Sequence, residues 1–127
     1  MLAPCALGGI LNADSIPRLN TSIVAGAANN QLATEADGRL LFGRDILYAP
    51  DYVINAGGVI NIAFEHFVLG DEAAALSAIA QIGPRLTNIF ERSAHSDRPT
   101  SEIADAMARL RIADAAERAR APASDAA

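Results

Sequence analysis

Two short apolar stretches decide the fold of this chain: residues 22–26, Ser-Ile-Val-Ala-Gly, and residues 45–49, Asp-Ile-Leu-Tyr-Ala. Neither stretch alternates apolar with polar residues, and this pattern is typical of strands that are buried on both faces of a parallel sheet. Residues 29–43 lie between them and are polar and compatible with a helix, with breaks expected at Gly38 and Gly43. The order strand, helix, strand predicts a β-α-β unit and therefore an α/β sheet.

The segments on either side of this unit are predicted to be helical. Residues 10–19 favour a short helix or helical turn with Pro17 in its first turn. Beyond residue 71, apolar residues recur every three or four positions, as on one face of a helix, and Gly83-Pro84 is expected to kink or break it. Residues 95–99 are predicted to form a loop, after which Thr100 or Ser101 caps a final helix. From Arg118 onward the chain has nothing to bury, so residues 119–127 are predicted to be a frayed tail.

Charge and composition exclude several classes of function. The 127 residues include 15 acidic and 10 basic side chains, with a formal net charge of -5, and every basic residue is an arginine. A chain without lysine cannot use a lysine to form a Schiff base or to act as a general base. The acidic balance argues against nucleic acid or an anionic membrane as the main partner. Because the chain has a single cysteine and no apolar run near the ~20 residues of a membrane span, a soluble cytoplasmic protein is expected.

Three segments combine small residues with amides or turns, and each directly follows an apolar run. They are residues 4–9, 25–31 and 49–58. In an open parallel sheet, ligands bind beyond the carboxyl ends of the strands. Asn29, Asn30 and Asn55 offer both donors and acceptors to an amide or amino group of a ligand. On the residues alone, an equally open interpretation is that these glycines and asparagines only make turns and cap helices.

Other residues with reactive side chains are weaker candidates. Cys5 has no histidine or acid near it in the sequence, so a small buried residue is favoured over a nucleophile. His66 and His95 lack a metal-ligand spacing, and no metal site is predicted. Asp51 follows Pro50 and is interpreted as a turn residue rather than a catalytic acid. The sequence contains no GxGxxG fingerprint of a dinucleotide site.

The same three segments resemble a known enzyme family. The stretches APCALGG (residues 3–9), VAGAANNQL (24–32) and ILYAPDYVINAGGVIN (46–61) are similar, in order and spacing, to the leucine/valine/phenylalanine dehydrogenases. These enzymes belong with glutamate dehydrogenase to one superfamily, and the resemblance spans residues 2–62. It implies a partial, Rossmann-like, doubly wound parallel sheet of about three strands followed by carboxyl-terminal helices. Residues 1–118 would form the carboxyl-terminal half of a dinucleotide-binding domain.

The resemblance also implies a reaction and a cofactor site. The family reaction is the reversible, NAD-dependent oxidative deamination of an L-amino acid to its 2-oxo acid and ammonia. By match to the family motifs, Cys5, Ala6 and Leu7 would lie beside the nicotinamide. Asn29, the first asparagine of AANNQ, would contact the nicotinamide or the reacting amino group of the substrate.

A substrate pocket is implied by the third motif. Asn55 and Gly57-Gly58 would form a turn that faces the interdomain cleft. Val59 and Ile62 match positions that line the pocket for the substrate's side chain. Two aliphatic walls favour an apolar amino acid, or its 2-oxo acid, over glutamate.

Several parts of the family's machinery do not lie within this chain. The catalytic lysine, the carboxylate-binding lysine and the catalytic aspartate belong to an amino-terminal substrate domain, and the glycine-rich pyrophosphate loop precedes the matched region. We therefore expect no deamination by this chain alone, and association as a homo-oligomer or with the missing domain. The alternative is a non-catalytic, truncated paralogue that acts as a binding or assembly module through its open sheet edge.

Overall fold

The computed structural model describes residues 1–67 and 71–120 and has a mixed α/β architecture that is mostly helical. A short 3-10 helix, Ile16–Arg18, precedes the first strand and carries Pro17 in its first turn, as predicted. The strands are β1 (Ile23–Val24) and β2 (Leu47–Tyr48). The helices are α1 (Glu35–Phe42), α2 (Asp51–Ile54), α3 (Ala56–Phe67), α4 (Glu72–Ala80), α5 (Ile82–Ser96) and α6 (Thr100–Arg120).

The two strands form a parallel sheet with α1 as the connection between them. Ile23 pairs with Leu47, and Val24 pairs with Tyr48. Leu2 adds an isolated parallel bridge to Val24 on the other side of β1, through main-chain hydrogen bonds of 2.8 and 3.0 Å. The α/β class is therefore confirmed, and the third predicted strand is reduced to this single bridge.

The prediction that both faces of the sheet are buried is wrong. Val24 and Tyr48 are buried, whereas Ile23 and Leu47, on the opposite face, remain 40% and 39% exposed. Helices α1 and α6 pack against β2 and against each other, and Leu41 of α1 lies in the same buried cluster as Val24 and Tyr48.

Two buried apolar clusters lie among the described elements. The larger cluster joins the sheet to α1 and to the segment before β1, and the smaller one joins α5 to α6. Burial of such side chains from water is the main favourable contribution to folding. The first cluster consists of Leu11, Ile16, Val24, Leu41, Ile46 and Tyr48, and the second of Ile89, Ile103 and Ala104.

Helix α1 runs through Gly38 and ends at Phe42, directly before Gly43, so the break predicted at Gly43 is confirmed and the one predicted at Gly38 is wrong. Gly38 is buried where α1 meets α6, and a Cβ there would lie 2.5 Å from the Ser101 hydroxyl oxygen. This glycine therefore permits close helix packing instead of interrupting the helix. The break predicted at Gly83-Pro84 is confirmed, because α4 ends at Ala80 and these two residues lie in the first turn of α5.

The loop predicted at residues 95–99 is shorter than expected, because α5 continues to Ser96 and ends where Asp97 adopts a left-handed conformation with φ 53°. Helix α6 then begins at Thr100, whose hydroxyl donates to the main-chain oxygen of Tyr48 at 2.6 Å and does not cap the helix. The predicted tail at 119–127 begins inside α6, which includes Ala119 and Arg120. The rest of that prediction, residues 121–127, lies outside the described residues.

Within the described ranges, no helix has both the length and the apolar character needed to cross a bilayer.

Candidate functional site

The three small-residue segments meet beyond the carboxyl ends of the strands. The Ala28 N–H donates to the Pro4 carbonyl at 2.9 Å, which joins the first segment to the second. The Gly9 N–H donates to the Asn30 carbonyl at 2.7 Å, so the same two segments are joined again further along. The Asn30 N–H in turn donates to Oδ2 of Asp51, at 2.7 Å, and so joins the second segment to the third. Segments separated in the sequence thus form one continuous surface at the strand ends.

Gly26 makes this close approach possible. Its backbone lies so near Pro4 that an added Cβ would overlap the Pro4 carbonyl oxygen and main-chain nitrogen. The Gly26 carbonyl also accepts a hydrogen bond of 2.7 Å from the buried Gln31 side chain, whose amide nitrogen donates to Ala28 as well, at 2.9 Å. The turn between Gly26 and Gln31 is therefore held by the close approach of Gly26 to Pro4 and by two hydrogen bonds from the Gln31 side chain.

Asn29 and Asn55 lie side by side on this surface. Asn55 ends α2, and its Nδ2 donates to Oδ1 of Asn29 and to the carbonyl of Ala28, both at 3.4 Å. The Asn29 side chain is exposed, so its carboxamide is available to a ligand. Two of the three asparagines predicted for the strand ends, Asn29 and Asn55, therefore contact each other, and Asn29 is the more exposed of the two.

Asp51 is the main polar residue beneath the surface. It is only 5% exposed, and Oδ1 accepts a hydrogen bond of 2.5 Å from the Tyr48 hydroxyl while Oδ2 accepts from Asn30. Burial raises the pKa of Tyr48, and the hydrogen bond to Asp51 raises it further, so this phenol remains a neutral donor. The interpretation of Asp51 as a turn residue is corrected by this geometry: it is the first residue of α2 and connects β2 to the asparagine turn.

The first segment presents its side chains to solvent. Cys5, Ala6 and Leu7 are all exposed, and Leu7 is 74% exposed. The prediction of a buried Cys5 is therefore wrong, because the turn that follows Pro4 points its side chains away from the core. This part of the surface therefore presents two small side chains, Cys5 and Ala6, and the larger Leu7 to solvent.

Val59 and Ile62 lie on α3, which begins directly after Asn55. They are three residues apart and so point to the same side of the helix, where they are 71% and 64% exposed. Gly57 and Gly58 belong to the first turns of α3, so the turn expected at this pair is wrong. Two aliphatic side chains therefore point outward from α3, four and seven residues after Asn55.

A cleft of about 380 Å³ borders the junction of the second and third segments. The residues that line it include Asn30, Asp51, Arg39 and Glu102. Arg39 donates to Glu102 at 2.6 Å, and this bond lowers the pKa of the Glu102 carboxyl. The cleft is therefore lined by this ion pair, by further carboxylates that include Asp51, and by uncharged residues.

Comparison with known protein families shows to which family the chain belongs. The sequence model of the glutamate/leucine/phenylalanine/valine dehydrogenases matches residues 1–118. The chain belongs to this family.

Individual relatives in this dehydrogenase family agree with the match. A leucine dehydrogenase from Geobacillus stearothermophilus is 43% identical over 122 residues, which are 96% of this chain and 33% of that protein. A valine dehydrogenase from Streptomyces coelicolor is 46% identical over 117 residues, 91% of this chain and 32% of that one. The crystal structure of L-tryptophan dehydrogenase from Nostoc punctiforme matches with a TM-score of 0.81 at 46% identity, over 91% of this chain and 34% of that one. This chain therefore spans about a third of the length of these dehydrogenases.

The sequence interpretation found the motifs of this dehydrogenase family but missed the part played by Asp51. A signal was present, because a buried tyrosine hydroxyl needs a hydrogen-bond partner and Tyr48 ends a strand three residues before Asp51. The bond from Asp51 to Asn30 had no such signal, since it spans 21 positions of the chain.

Proposed function

We propose that this chain forms the carboxyl-terminal half of the Rossmann-like dinucleotide-binding domain, residues 1–118, of a cytoplasmic, NAD-dependent L-amino-acid dehydrogenase. The reaction would be the reversible oxidative deamination of an apolar L-amino acid to its 2-oxo acid and ammonia. The single observation that carries the proposal is the junction of the three family motifs at the strand ends, where the Asn29 carboxamide is exposed beside Asn55.

The residues at this junction suit the nicotinamide end of a dinucleotide. A nicotinamide is a flat ring with a carboxamide. Cys5, Ala6 and Leu7 are exposed and would lie beside the ring, while Asn29 supplies an amide that can pair with another amide. When bound, NAD supplies the hydride acceptor of the reaction. The chain's contribution is to bind and orient, because Asn29 would hold either the ring carboxamide or the substrate's amino group at a fixed position.

The pyrophosphate end of the cofactor would need other residues. No glycine-rich GxGxxG loop occurs in the 127 residues, and no lysine is available as a general base. The rest of the dinucleotide site and the proton-transfer groups would therefore come from other parts of the enzyme. Assembly as a homo-oligomer, or association with an amino-terminal domain, is part of the proposal.

Val59 and Ile62 would select the substrate. Both are aliphatic and extend from the same side of α3, close in sequence to Asn55, so they could form one wall of a pocket closed by another domain. An apolar wall without a cation leaves the carboxylate of a glutamate side chain without a partner, which disfavours that substrate.

A chimera tests the proposal. In it, this chain replaces the matching third of the Geobacillus stearothermophilus leucine dehydrogenase, and NADH formation from L-leucine is followed at 340 nm. We expect turnover, and we expect Asn29→Ala to lower kcat/KM by roughly 10- to 100-fold, the loss of one hydrogen bond to a bound ligand. Asn20→Ala, an exposed asparagine before β1, is the matched control. Equal effects of the two substitutions would refute the role of Asn29.

One observation favours a second candidate, a non-catalytic module that assembles with other subunits. Ile23 and Leu47 pair in register and are both partly exposed on the open face of the sheet. An exposed apolar face of this kind can serve as an association surface. A purified chain that sediments as a stable monomer at micromolar concentration would count against this candidate.

A further inference from the structure

We propose that Asp51 is a positioning residue: its buried carboxylate holds the Asn29–Asn30 turn in the conformation that presents the Asn29 carboxamide. This inference rests on the proposed function, because it concerns the residue assigned there to the ligand. Asp51 would not touch substrate or cofactor, and it would act through Asn30.

The Asp51 carboxylate is buried and needs hydrogen-bond donors in place of water. Asp51 is 5% exposed, and in the described part of the chain the ion pairs join Arg39 and Arg98 to Glu102, not to Asp51. Burying an unpaired charge is costly unless hydrogen bonds compensate it. The Tyr48 hydroxyl and the Asn30 N–H supply that compensation, one to each carboxylate oxygen, at 2.5 and 2.7 Å.

The backbone of Asn30 adopts an unusual conformation. Its φ is 54°, in the left-handed region that residues other than glycine adopt at an energetic cost. In this conformation its N–H donates to Asp51 while its carbonyl accepts from Gly9 at 2.7 Å. A charge-assisted bond is stronger than a neutral one, so Asp51 can stabilise a conformation that the chain would otherwise leave.

Asn55 ends the same short helix that begins with Asp51, and it contacts Asn29. Asp51 and Asn55 are four residues apart, at the two ends of α2, and the Asn55 N–H donates to the Asp51 carbonyl at 2.8 Å. One short helix therefore contacts the asparagine turn twice: Asp51 holds the main chain of Asn30, and Asn55 contacts the side chain of Asn29. Losing the first contact would let the Asn29 carboxamide move relative to the second.

The test compares Asp51→Asn with Asp105→Asn. Asp105 accepts a hydrogen bond of 2.8 Å from the Tyr52 hydroxyl, so it is also a tyrosine-bonded carboxylate, but it bonds no atom of the turn. In the 127-residue chain, we expect the Asn30 amide to exchange with deuterium roughly tenfold faster or more in Asp51→Asn, and unchanged in Asp105→Asn. In the chimera, we expect kcat to fall roughly tenfold or more in Asp51→Asn, with a smaller change in KM, because a displaced orienting group slows the reaction step.

The outcomes separate this inference from the function beneath it. An inactive parent chimera would count against the proposed function alone, since amide exchange is measured in the chain itself. Unchanged exchange at Asn30 in Asp51→Asn would overturn the positioning role. A lower melting temperature with unchanged kcat would overturn it as well, because it would make Asp51 a purely structural residue. If Asp51→Asn fails to fold, Asp51→Ser, which is smaller and cannot overpack the site, is measured in its place with the same criteria.

Discussion

The Thr100 hydroxyl donates a hydrogen bond of 2.6 Å to the main-chain carbonyl of Tyr48, and both residues are buried. This bond ties the first residue of α6 to the last residue of β2, across 52 positions of the chain. It lies directly before the segment that carries Asp51, so the anchoring of α6 also supports the base of the candidate site.

Replacing Thr100 by valine removes this donor and keeps the shape of the side chain. We expect Thr100→Val to lower the free energy of unfolding by about 1–3 kcal/mol, because a buried carbonyl oxygen loses its partner. Urea denaturation measures the change. Thr87→Val is the control, since the Thr87 hydroxyl is exposed and bonds only within its own helix, to Gly83 at 3.2 Å. A loss no larger at Thr100 than at Thr87 would contradict the anchoring role.

Gly26→Ala is expected to destabilise the chain by at least about 2 kcal/mol, because the new methyl group would overlap main-chain atoms of Pro4 that cannot rotate away. Gly58→Ala offers the opposite case. Gly58 lies within α3 with nothing within 4 Å of an added Cβ, and there alanine should raise the free energy of unfolding by up to about 1 kcal/mol through helix propensity. Thermal unfolding of both variants reads out the difference, and two changes of the same sign would disprove the packing described for Gly26.

The pKa of Glu102 is expected to depend more on Arg39 than on Arg98. Arg39 donates at 2.6 Å and Arg98 at 3.3 Å, and the bond from Arg39 is the largest cause of the lowered pKa. Arg39→Gln should therefore raise the pKa of Glu102 further than Arg98→Gln, as measured by NMR titration of the carboxyl carbon. Because the pKa is lower in the folded state, the pair stabilises the fold above the unfolded pKa of glutamate, and this contribution is lost as pH falls through the folded value. A larger rise in Arg98→Gln would refute the assignment.

The chain on its own is expected to have no dehydrogenase activity. It contains no lysine to act in proton transfer and no glycine-rich loop for the pyrophosphate. The purified 127-residue chain, assayed with NAD and leucine, valine or phenylalanine, should give the same rate as buffer. Turnover that copurifies with the chain and disappears in Asn29→Ala would show that the chain is sufficient by itself.

Much of the fold could be predicted because the relevant signals are local. The apolar runs around Val24 and Tyr48 specify strands, and Pro17 and Gly83-Pro84 mark the starts of helices. What the runs could not specify is which face is covered, since that depends on where α1 and α6 pack. Gly38 was misread for the same reason: its role depends on Ser101, which is far away in the sequence.

The candidate site also has features that the sequence predicts and features that depend on tertiary structure. Motif resemblance predicts Asn29, Asn55, Val59 and Ile62 as candidate site residues, and the structure brings the first two into contact. The exposure of Cys5 depends on the direction of a turn, which composition does not encode. The link from Asp51 to Asn30 depends on the positive φ of Asn30, a conformation held by tertiary contacts with Asp51 and Gly9.

The most direct test of the account is the substrate preference of the chimera described above. If Val59 and Ile62 form the wall of the substrate pocket, we expect kcat/KM for L-leucine to be roughly 100-fold or more higher than for L-glutamate, because an apolar wall offers a charged side chain no partner. We also expect Ile62→Ala to shift the preference toward L-phenylalanine, because the smaller side chain enlarges the pocket. A chimera that prefers L-glutamate, or whose preference is unchanged by substitutions at Val59 and Ile62, would contradict the claim that this chain carries the substrate-selecting surface of an apolar amino-acid dehydrogenase.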